Sequence, residues 1–392
     1  MYNRDLKKTI ESKINKGKAI ILIGPRQVGK TTLLKTIIDT KEHLFLDGDD
    51  PTVRSLLNNP NTTQIRSIIG SNKIIFIDEA QRIASIGLTL KIIIDQFKEV
   101  QLFVSGSSSF DLSNAINEPL TGRKWEYELF PISWEELENT EGYVSAEQQL
   151  ENRILYGFYP DILNNPGEEK ELLKQLVNSY LYRDILAFAN IRKPEVLEKL
   201  VRALALQIGS EVNYNELAQI VGVDKNTVAN YIDILEKGYV IFKLHSFSRN
   251  LRNEIKKNKK IYFYDNGVRN IIIGNFNPLE LRQDTGALWE NFLISERLKQ
   301  NKYKSTNAKM YFWRTKQQQE VDLVEEHNGM ISGFEFKWNN KKKVRLPKTF
   351  VNEYDAKEIV IDKNNFRIIN CNQIVFTFHV LKGFGISCEE IK

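Results

Sequence analysis

An α/β fold built on a parallel sheet is predicted for the N-terminal third of the chain, and three observations predict it. Short apolar runs alternate with helix-period stretches, a glycine-rich loop joins the first run to the first helix, and an acidic pair closes a later run. The apolar runs are Ala19 to Ile23, His43 to Leu46, Lys73 to Ile77 and Gln101 to Val104. Stretches such as Ile74-Ile75-Phe76-Ile77, apolar at successive positions, suit strands covered on both faces. Ligands of such sheets sit beyond the carboxyl ends of the strands.

The loop after the first strand reads Gly24-Pro25-Arg26-Gln27-Val28-Gly29-Lys30-Thr31-Thr32, and the helix-period run Leu33 to Ile38 follows it. This is the spacing of a phosphate-binding loop. Glycines let successive backbone N–H groups turn toward phosphates at a helix N-terminus; the lysine brings a point charge to the β- and γ-phosphates and the threonine a hydroxyl to Mg²⁺. All nine residues are therefore expected to bind the cofactor, ATP with Mg²⁺. At the end of the third strand, Asp78 is expected to help hold Mg²⁺ and Glu79 to orient or deprotonate the attacking water. ATP is preferred to GTP because no Asn/Thr-Lys-x-Asp sequence follows a strand. Ser105-Gly106-Ser107-Ser108-Ser109 ends the fourth strand, where Ser107 is read either as a contact to the γ-phosphate or lytic water, or as a helix N-cap. Arg123, in Thr121-Gly122-Arg123, is read either as a stabiliser of transition-state charge or as a surface arginine.

At 392 residues the chain is expected to form two to four compact units. Its 42% hydrophobic and 27% charged content is that of a soluble globular protein. No apolar stretch is long enough for a bilayer and no apolar segment follows Met1 as a signal peptide would, so a cytoplasmic location without membrane partners is expected. Cys371 and Cys388 lack metal-ligand spacing and read as two reduced thiols, with zinc not expected. A net charge of +5 is too modest to mark a nucleic-acid binder by itself. Two runs are locally basic: Arg249, Arg252, Lys256, Lys257, Lys259 and Lys260, then Lys341, Lys342, Lys343, Arg345 and Lys348. Each taken alone reads as a solvated loop.

Gly24-Pro-Arg-Gln-Val-Gly-Lys-Thr-Thr, Phe45-Leu-Asp-Gly-Asp-Asp-Pro51, Ile77-Asp-Glu-Ala-Gln-Arg82, Ser105-Gly-Ser-Ser-Ser109, Leu120-Thr-Gly-Arg123 and Phe130-Pro-Ile-Ser-Trp-Glu-Glu-Leu137 together resemble the prokaryotic AAA+-type ATPases whose C-terminal half is a domain of unknown function. The resemblance runs across nearly the whole chain. It implies an ATPase core with Lys30, Thr31, Asp78 and Glu79 in the roles above. AAA+ relatives often complete their sites with an arginine from a neighbouring subunit, so oligomerisation is compatible with it, although no interface is legible in the sequence.

The middle of the chain reads as helices from Glu147 to Tyr156, Glu168 to Ala189 and Lys193 to Ile208. A helix-turn-helix follows, Asn213 to Gly222 and Asp224 to Gly238, then the strand-like Tyr239 to Leu244 as a wing. Leu217, Ala218, Val221, Val223, Val228, Ile232 and Leu235 form its expected core. Lys225, Asn226, Thr227, Asn230 and Tyr231 lie near the start of the second helix, where a DNA-reading helix carries its contacts. The same helix carries Asp224, Asp233 and Glu236 and lacks arginine, which leaves protein interaction or a purely internal role open beside DNA binding.

The last segment reads in the order αβββαβ: Thr285 to Gln300, Lys309 to Arg314, Val321 to Glu325, Ile331 to Lys337, Thr349 to Tyr354 and Glu358 to Ile361. Alternation sets Glu335 and Lys337 on one strand face and Phe334 and Phe336 on the other. An Asp followed at a strand's distance by Glu-x-Lys resembles the PD-(D/E)XK nuclease core, a restriction-endonuclease-like fold. That resemblance implies a second metal site at Asp322 and Glu335, joined by Glu290 from the helix, with Lys337 positioning water. Four segments result: a P-loop AAA+-type domain at 1–140, a helical connector at 141–192, a winged helix at 193–265 and a nuclease-like domain at 266–392. The expected function is ATP hydrolysis coupled to DNA binding or processing. The alternative is a nucleotide-dependent switch whose C-terminal half binds protein partners and cleaves nothing.

Overall fold

The computed structural model describes residues 1–39, 41–107, 119–179, 193–248, 259–339 and 344–370. The chain folds as two compact units rather than four segments. The first comprises Met1–Leu206, Asn213–Phe242 and Phe263–Phe276, and the second Gln207–Val212, Lys243–Tyr262 and Asn277–Lys392.

The first unit holds a five-stranded sheet of β1 (Ala19–Ile23), β2 (Leu44–Asp47), β3 (Ile74–Asp78), β4 (Gln101–Gly106) and β5 (Lys124–Glu128), in the order β2-β3-β4-β1-β5. Every pairing in it is parallel, as the alternating pattern predicts. Ile21, Ile23, Ile75, Ile77, Leu102 and Val104 pack with Leu90 and Ile93 of the Ile86–Gln96 helix, while Ile20, Leu22, Phe76 and Phe103 are buried on the alternate face. Both faces are thus covered, which is why these strands read as continuous apolar runs. β5 escaped the sequence reading because Lys-Trp-Glu-Tyr-Glu is a half-exposed edge strand with no apolar run to betray it.

The same unit carries helices Trp134–Glu141, Tyr143–Tyr156, Glu169–Val177, Pro194–Leu206, Tyr214–Val221 and Lys225–Lys237. Gly222 ends the Tyr214–Val221 helix in the left-handed region, at φ 74°, and Asp224 caps the next helix through the N–H groups of Asn226 and Thr227. Leu217, Ala218, Val221, Val228, Ile232 and Leu235 are buried as expected, with Val223 only partly so. A further helix, Asn266–Ile273, packs against Tyr143–Tyr156. Buried Asp265 makes that contact: one carboxylate oxygen accepts from the Phe158 N–H at 2.7 Å and the other caps the helix through Gly267 at 2.8 Å.

The second unit is organised by a seven-stranded sheet in the order β12-β11-β10-β9-β7-β8-β6. Its strands are β6 (Glu211–Val212), β7 (Ile241–Ser246), β8 (Lys259–Phe263), β9 (Lys309–Arg314), β10 (Glu320–His327), β11 (Met330–Phe336) and β12 (Lys357–Ile361). With helices Thr285–Tyr303 and Lys348–Tyr354, the αβββαβ order appears as read from the sequence. The boundary expected at 265/266 is not where the units part. β7 pairs in parallel with β9 through His245↔Tyr311, so the strand expected as a wing extends the C-terminal sheet. On the helix Thr285–Tyr303, buried Arg297 grips Glu325 of β10 with two hydrogen bonds of 2.6 and 2.5 Å and donates to the Ile369 carbonyl at 2.8 Å.

Arg297→Met leaves the buried Glu325 carboxylate with the Asn301 amide in place of a cation. A loss of about 3–5 kcal/mol is expected in the urea unfolding of the second unit, with most of it recovered in Arg297→Met/Glu325→Leu. A single variant within about 1 kcal/mol of wild type would show that this ion pair does not anchor the helix.

Candidate nucleotide site and carboxylate cluster

The parallel register carries the ends of β1, β3 and β4 to one edge, pairing Ile23 with Gly106 and Ile77 with Val104. Gly24 turns the chain off β1 at φ 149°, and a Cβ there would stand 2.1 Å from the Leu129 carbonyl oxygen, so only glycine fits. Gly29 starts the Lys30–Ile38 helix at φ 91° with no side chain capping it, which suits an anion at the helix N-terminus. The Lys30 ammonium, 5% exposed, donates to the carbonyls of Gly24 at 3.0 Å and Pro25 at 2.6 Å. Burial pulls its pKa from 10.5 down to about 8, against the opposing pull of Glu79 and Asp78. Thr31 Oγ1 donates to Asp78 Oδ2 at 2.7 Å. One hydroxyl and one carboxylate oxygen meeting beside a phosphate loop fit Mg²⁺, which takes few protein ligands when phosphates supply the rest.

Glu79 sits in the left-handed region at φ 46°, against the loop after β2, where a Cβ on Gly48 would lie 2.5 Å from the Glu79 carbonyl oxygen. Its carboxylate accepts from Gln81 Nε2, which also donates to Ser107 Oγ at 2.8 Å. Ser107 therefore lies at this edge with Lys30, Thr31, Asp78 and Glu79. Three contributors were given no role by sequence reasoning. Ser105 donates its hydroxyl to Asp78 Oδ1, Gln81 links Glu79 to Ser107, and Arg4 clamps the loop from behind. Arg4 donates to the Val28 carbonyl at 2.7 Å, to the Phe130 carbonyl at 2.6 Å and to buried Glu136 at 3.0 Å. Ser105 and Gln81 stood inside the quoted motifs, whereas Arg4 had no signal, because it acts across more than a hundred residues of sequence.

Of the two readings of Arg123, its place in the structure fits the surface arginine. Its carbonyl accepts from Ala19 N at 3.0 Å and its guanidinium pairs with Asp95 at 2.7 Å. It thus stands where β1 begins, a strand's length of roughly 16 Å from the loop where β1 ends. That position excludes contact with a phosphoryl group in the same subunit. Ser108 and Ser109 lie outside the described residues.

In the second unit, Glu290, Asp322, Glu335 and Lys337 come together. Among the described residues no group of three or more His, Cys, Asp or Glu side chains is arranged to hold a metal ion. Each of the three carboxylates expected as metal ligands meets a donor of the chain. Glu290 Oε1 accepts from Tyr262 at 2.6 Å and Lys260 at 3.2 Å, Asp322 Oδ2 from the Phe336 N–H at 2.8 Å, and Glu335 Oε1 from Lys337 at 2.6 Å. A register shift between Val321 and Val324 in the β9–β10 ladder brackets Asp322. Burial raises all three carboxyl pKa values, Glu290 to about 7, and Asp322 adds repulsion to both glutamates. Lys260 was counted with a basic loop run; it is 1% exposed and reaches Glu320 at 2.5 Å.

Comparison with known proteins bears on the first site directly. Residues 16–138 match the family model described as an AAA domain. This segment, which holds the phosphate loop and Asp78, is similar to AAA domains. Residues 147–279 and 285–379 match two models, each described as a domain of unknown function, DUF8612 and DUF4143. The uncharacterized protein Rv2008c of Mycobacterium tuberculosis is 28% identical over 85% of this chain and 73% of its own length. The uncharacterized protein MJ1544 of Methanocaldococcus jannaschii is 24% identical over 95% and 85%. Among solved structures, the Walker-type ATPase PABY2304 of Pyrococcus abyssi aligns with TM-score 0.48 and 16% identity over 69% of this chain and 96% of its own. Among the described residues no helix is long and apolar enough to cross a membrane.

On the Lys225–Lys237 helix, Lys225, Asn226 and Asn230 are exposed and Tyr231 is half-buried. Thr227 is already committed, with its hydroxyl and N–H both donating to Asp224 at 2.6 and 3.0 Å. The basic residues Arg249 to Lys257 and Lys341 to Lys343 lie outside the described residues, as do Cys371 and Cys388.

The depressed Lys30 pKa has a pH signature. Between about 8 and 10.5 the unfolded chain binds the proton that the folded chain has lost, so nucleotide-free protein gains stability as pH rises through that window. Below it the burial penalty is fully present, on the order of 3 kcal/mol. Lys30→Met is expected to stabilise the nucleotide-free protein near neutral pH and to flatten the rise. Parallel thermal-melting curves for the two proteins across the window would contradict the assignment.

Proposed function

We propose that this chain binds and hydrolyses ATP in its AAA domain and uses the nucleotide state to govern DNA binding or processing by its C-terminal half. The observation that carries the first part is the meeting of Lys30, Thr31 and Asp78 at the phosphate loop. In this reading the loop N–H groups cradle the phosphates, and Lys30 leaves the Gly24 and Pro25 carbonyls for the β- and γ-phosphates. Thr31 and Asp78 hold Mg²⁺, which neutralises charge on the phosphate oxygens. Glu79 orients the attacking water and takes its proton, and Gln81 keeps the Glu79 carboxylate aimed beside Ser107.

For the C-terminal half, a helix-turn-helix succeeded by a strand supports a winged-helix reading, with Lys225, Asn226 and Asn230 as its DNA contacts. The αβββαβ order with Glu290, Asp322, Glu335 and Lys337 supports a nuclease-like fold. A second reading, a switch whose non-catalytic half binds protein partners, is favoured by Lys260 among those carboxylates and by Asp224, whose charge at the helix N-terminus opposes a DNA phosphate.

Lys30→Ala is expected to abolish binding of a fluorescent ATP analogue. Glu79→Gln should retain binding while turnover falls by about 10²-fold or more. Hydrolysis surviving in pure Lys30→Ala protein would remove the assignment. Replacing Lys225 and Asn226 by Ala should weaken duplex DNA binding and reduce its salt slope by about one; unchanged affinity takes this helix out of the interface.

A further inference from the structure

Lys260 is the least expected member of the carboxylate cluster. It extends from β8 between buried Ile261 and the half-buried Lys259, and its ammonium is almost wholly removed from water. There it lies 2.5 Å from Glu320 and 3.2 Å from Glu290, with the Phe312 ring face 5.5 Å away. Tyr262, two residues along the same strand and therefore on the same side, donates to the same Glu290 oxygen. Gly209 closes the other side of Glu290, where a Cβ would come within 3.5 Å of the carboxylate. Asp322 and Lys337 complete the group of charges that feel one another here, with Asp322 drawn to both lysines.

These contacts occupy one oxygen of each of three carboxylates and set fixed positive charge against them. Mg²⁺ demands close to six oxygen ligands in regular array and gives up its water reluctantly. Here one Glu290 oxygen already serves a phenol and an ammonium, one Asp322 oxygen serves a backbone N–H, and one Glu335 oxygen serves Lys337. A buried ammonium on a strand flanked by the buried pair Ile261 and Tyr262 cannot withdraw as a surface lysine would. A divalent ion would have to share the carboxylates with a fixed positive charge.

We propose that Lys260 is the resident cation of the Glu290, Glu320 and Asp322 cluster and keeps divalent metal out of it. The Glu-x-Lys strand of the C-terminal unit then does not perform metal-dependent cleavage. This goes beyond the proposed function and holds whether or not the AAA domain hydrolyses ATP.

Manganese binding to the full-length chain tests it, read by the loss of free Mn²⁺ signal in electron paramagnetic resonance without nucleotide. An Asp78→Asn background removes the contribution of the phosphate-loop site. This background is expected to bind no Mn²⁺ up to about 1 mM, a generous limit for a carboxylate site. Adding Lys260→Met should create one Mn²⁺ site, and adding Asp322→Asn to that should abolish it. One equivalent of Mn²⁺ bound by the background and lost with Asp322→Asn would overturn the proposal. So would a folded Lys260→Met variant, verified by circular dichroism, that gains no site. If Lys260→Met fails to fold, the background with and without Asp322→Asn still decides, since Asp322-dependent Mn²⁺ binding there is incompatible with exclusion by Lys260.

Discussion

Asp78 holds together what the phosphate loop needs. One of its oxygens takes the Thr31 hydroxyl from the loop helix, and the other takes the Ser105 hydroxyl from β4 and the Glu79 N–H. Three segments far apart in sequence meet on one carboxylate because the strands that deliver them run parallel and in register, Asp47 beside Asp78 and Ile77 beside Val104. A slip of one residue in any pairing would turn the strand-end side chain to the opposite face and empty the site. The glycines belong to the same constraint. Gly24 and Gly48 stand where backbone passes so close to backbone that a side chain has no room.

Buried charge is the second organising theme, and three instances are paired with opposite charge. Glu136 is wholly buried, and it meets Arg4 and the N–H groups of Asp5 and Ser133. That ties the chain's start to the phosphate loop through the Val28 carbonyl, with an energetic penalty for releasing either partner. Arg297 with Glu325 does the same for the long helix of the second unit, and Lys260 for the carboxylates of Glu290 and Glu320. Lys30 differs in kind. Its hydrogen-bond partners are backbone carbonyls, and burial lowers its pKa to about 8 although Glu79 and Asp78 pull the other way. A cation kept below its full stabilisation is poised to gain from an arriving phosphate.

Legibility in the sequence followed the physics of each element. β1, β3 and β4 were visible as apolar runs because they are buried on both faces, and the edge strand β5 was hidden because it is not. The loop, Asp78 and Glu79 were visible because phosphate chemistry demands those residue types at a strand end. Arg123 misled because nearness in sequence to a motif says nothing about which end of a strand a residue occupies. Lys260 misled for a related reason: within a run of lysines it carries no mark of its burial, which depends on a helix and a strand some thirty and sixty residues further on. The helix Asn266–Ile273 was passed over although Asp265 is an N-cap, because its packing partner lies a hundred residues earlier.

The sequence by itself determined a parallel sheet, a phosphate loop, the strand-end acids beside it and the element order of the C-terminal unit. These are local statements, set by hydrophobic period, by backbone geometry and by residue types at short spacing. Tertiary structure decided which distant groups share a buried space: Arg4 behind the loop, Gln81 between Glu79 and Ser107, Arg123 at the wrong edge, and Lys260 among the carboxylates. It also decided that β7 and β8 join the C-terminal sheet. The reason is that a charge or a strand edge accepts any well-placed partner, and placement is a property of the fold rather than of the neighbouring residues.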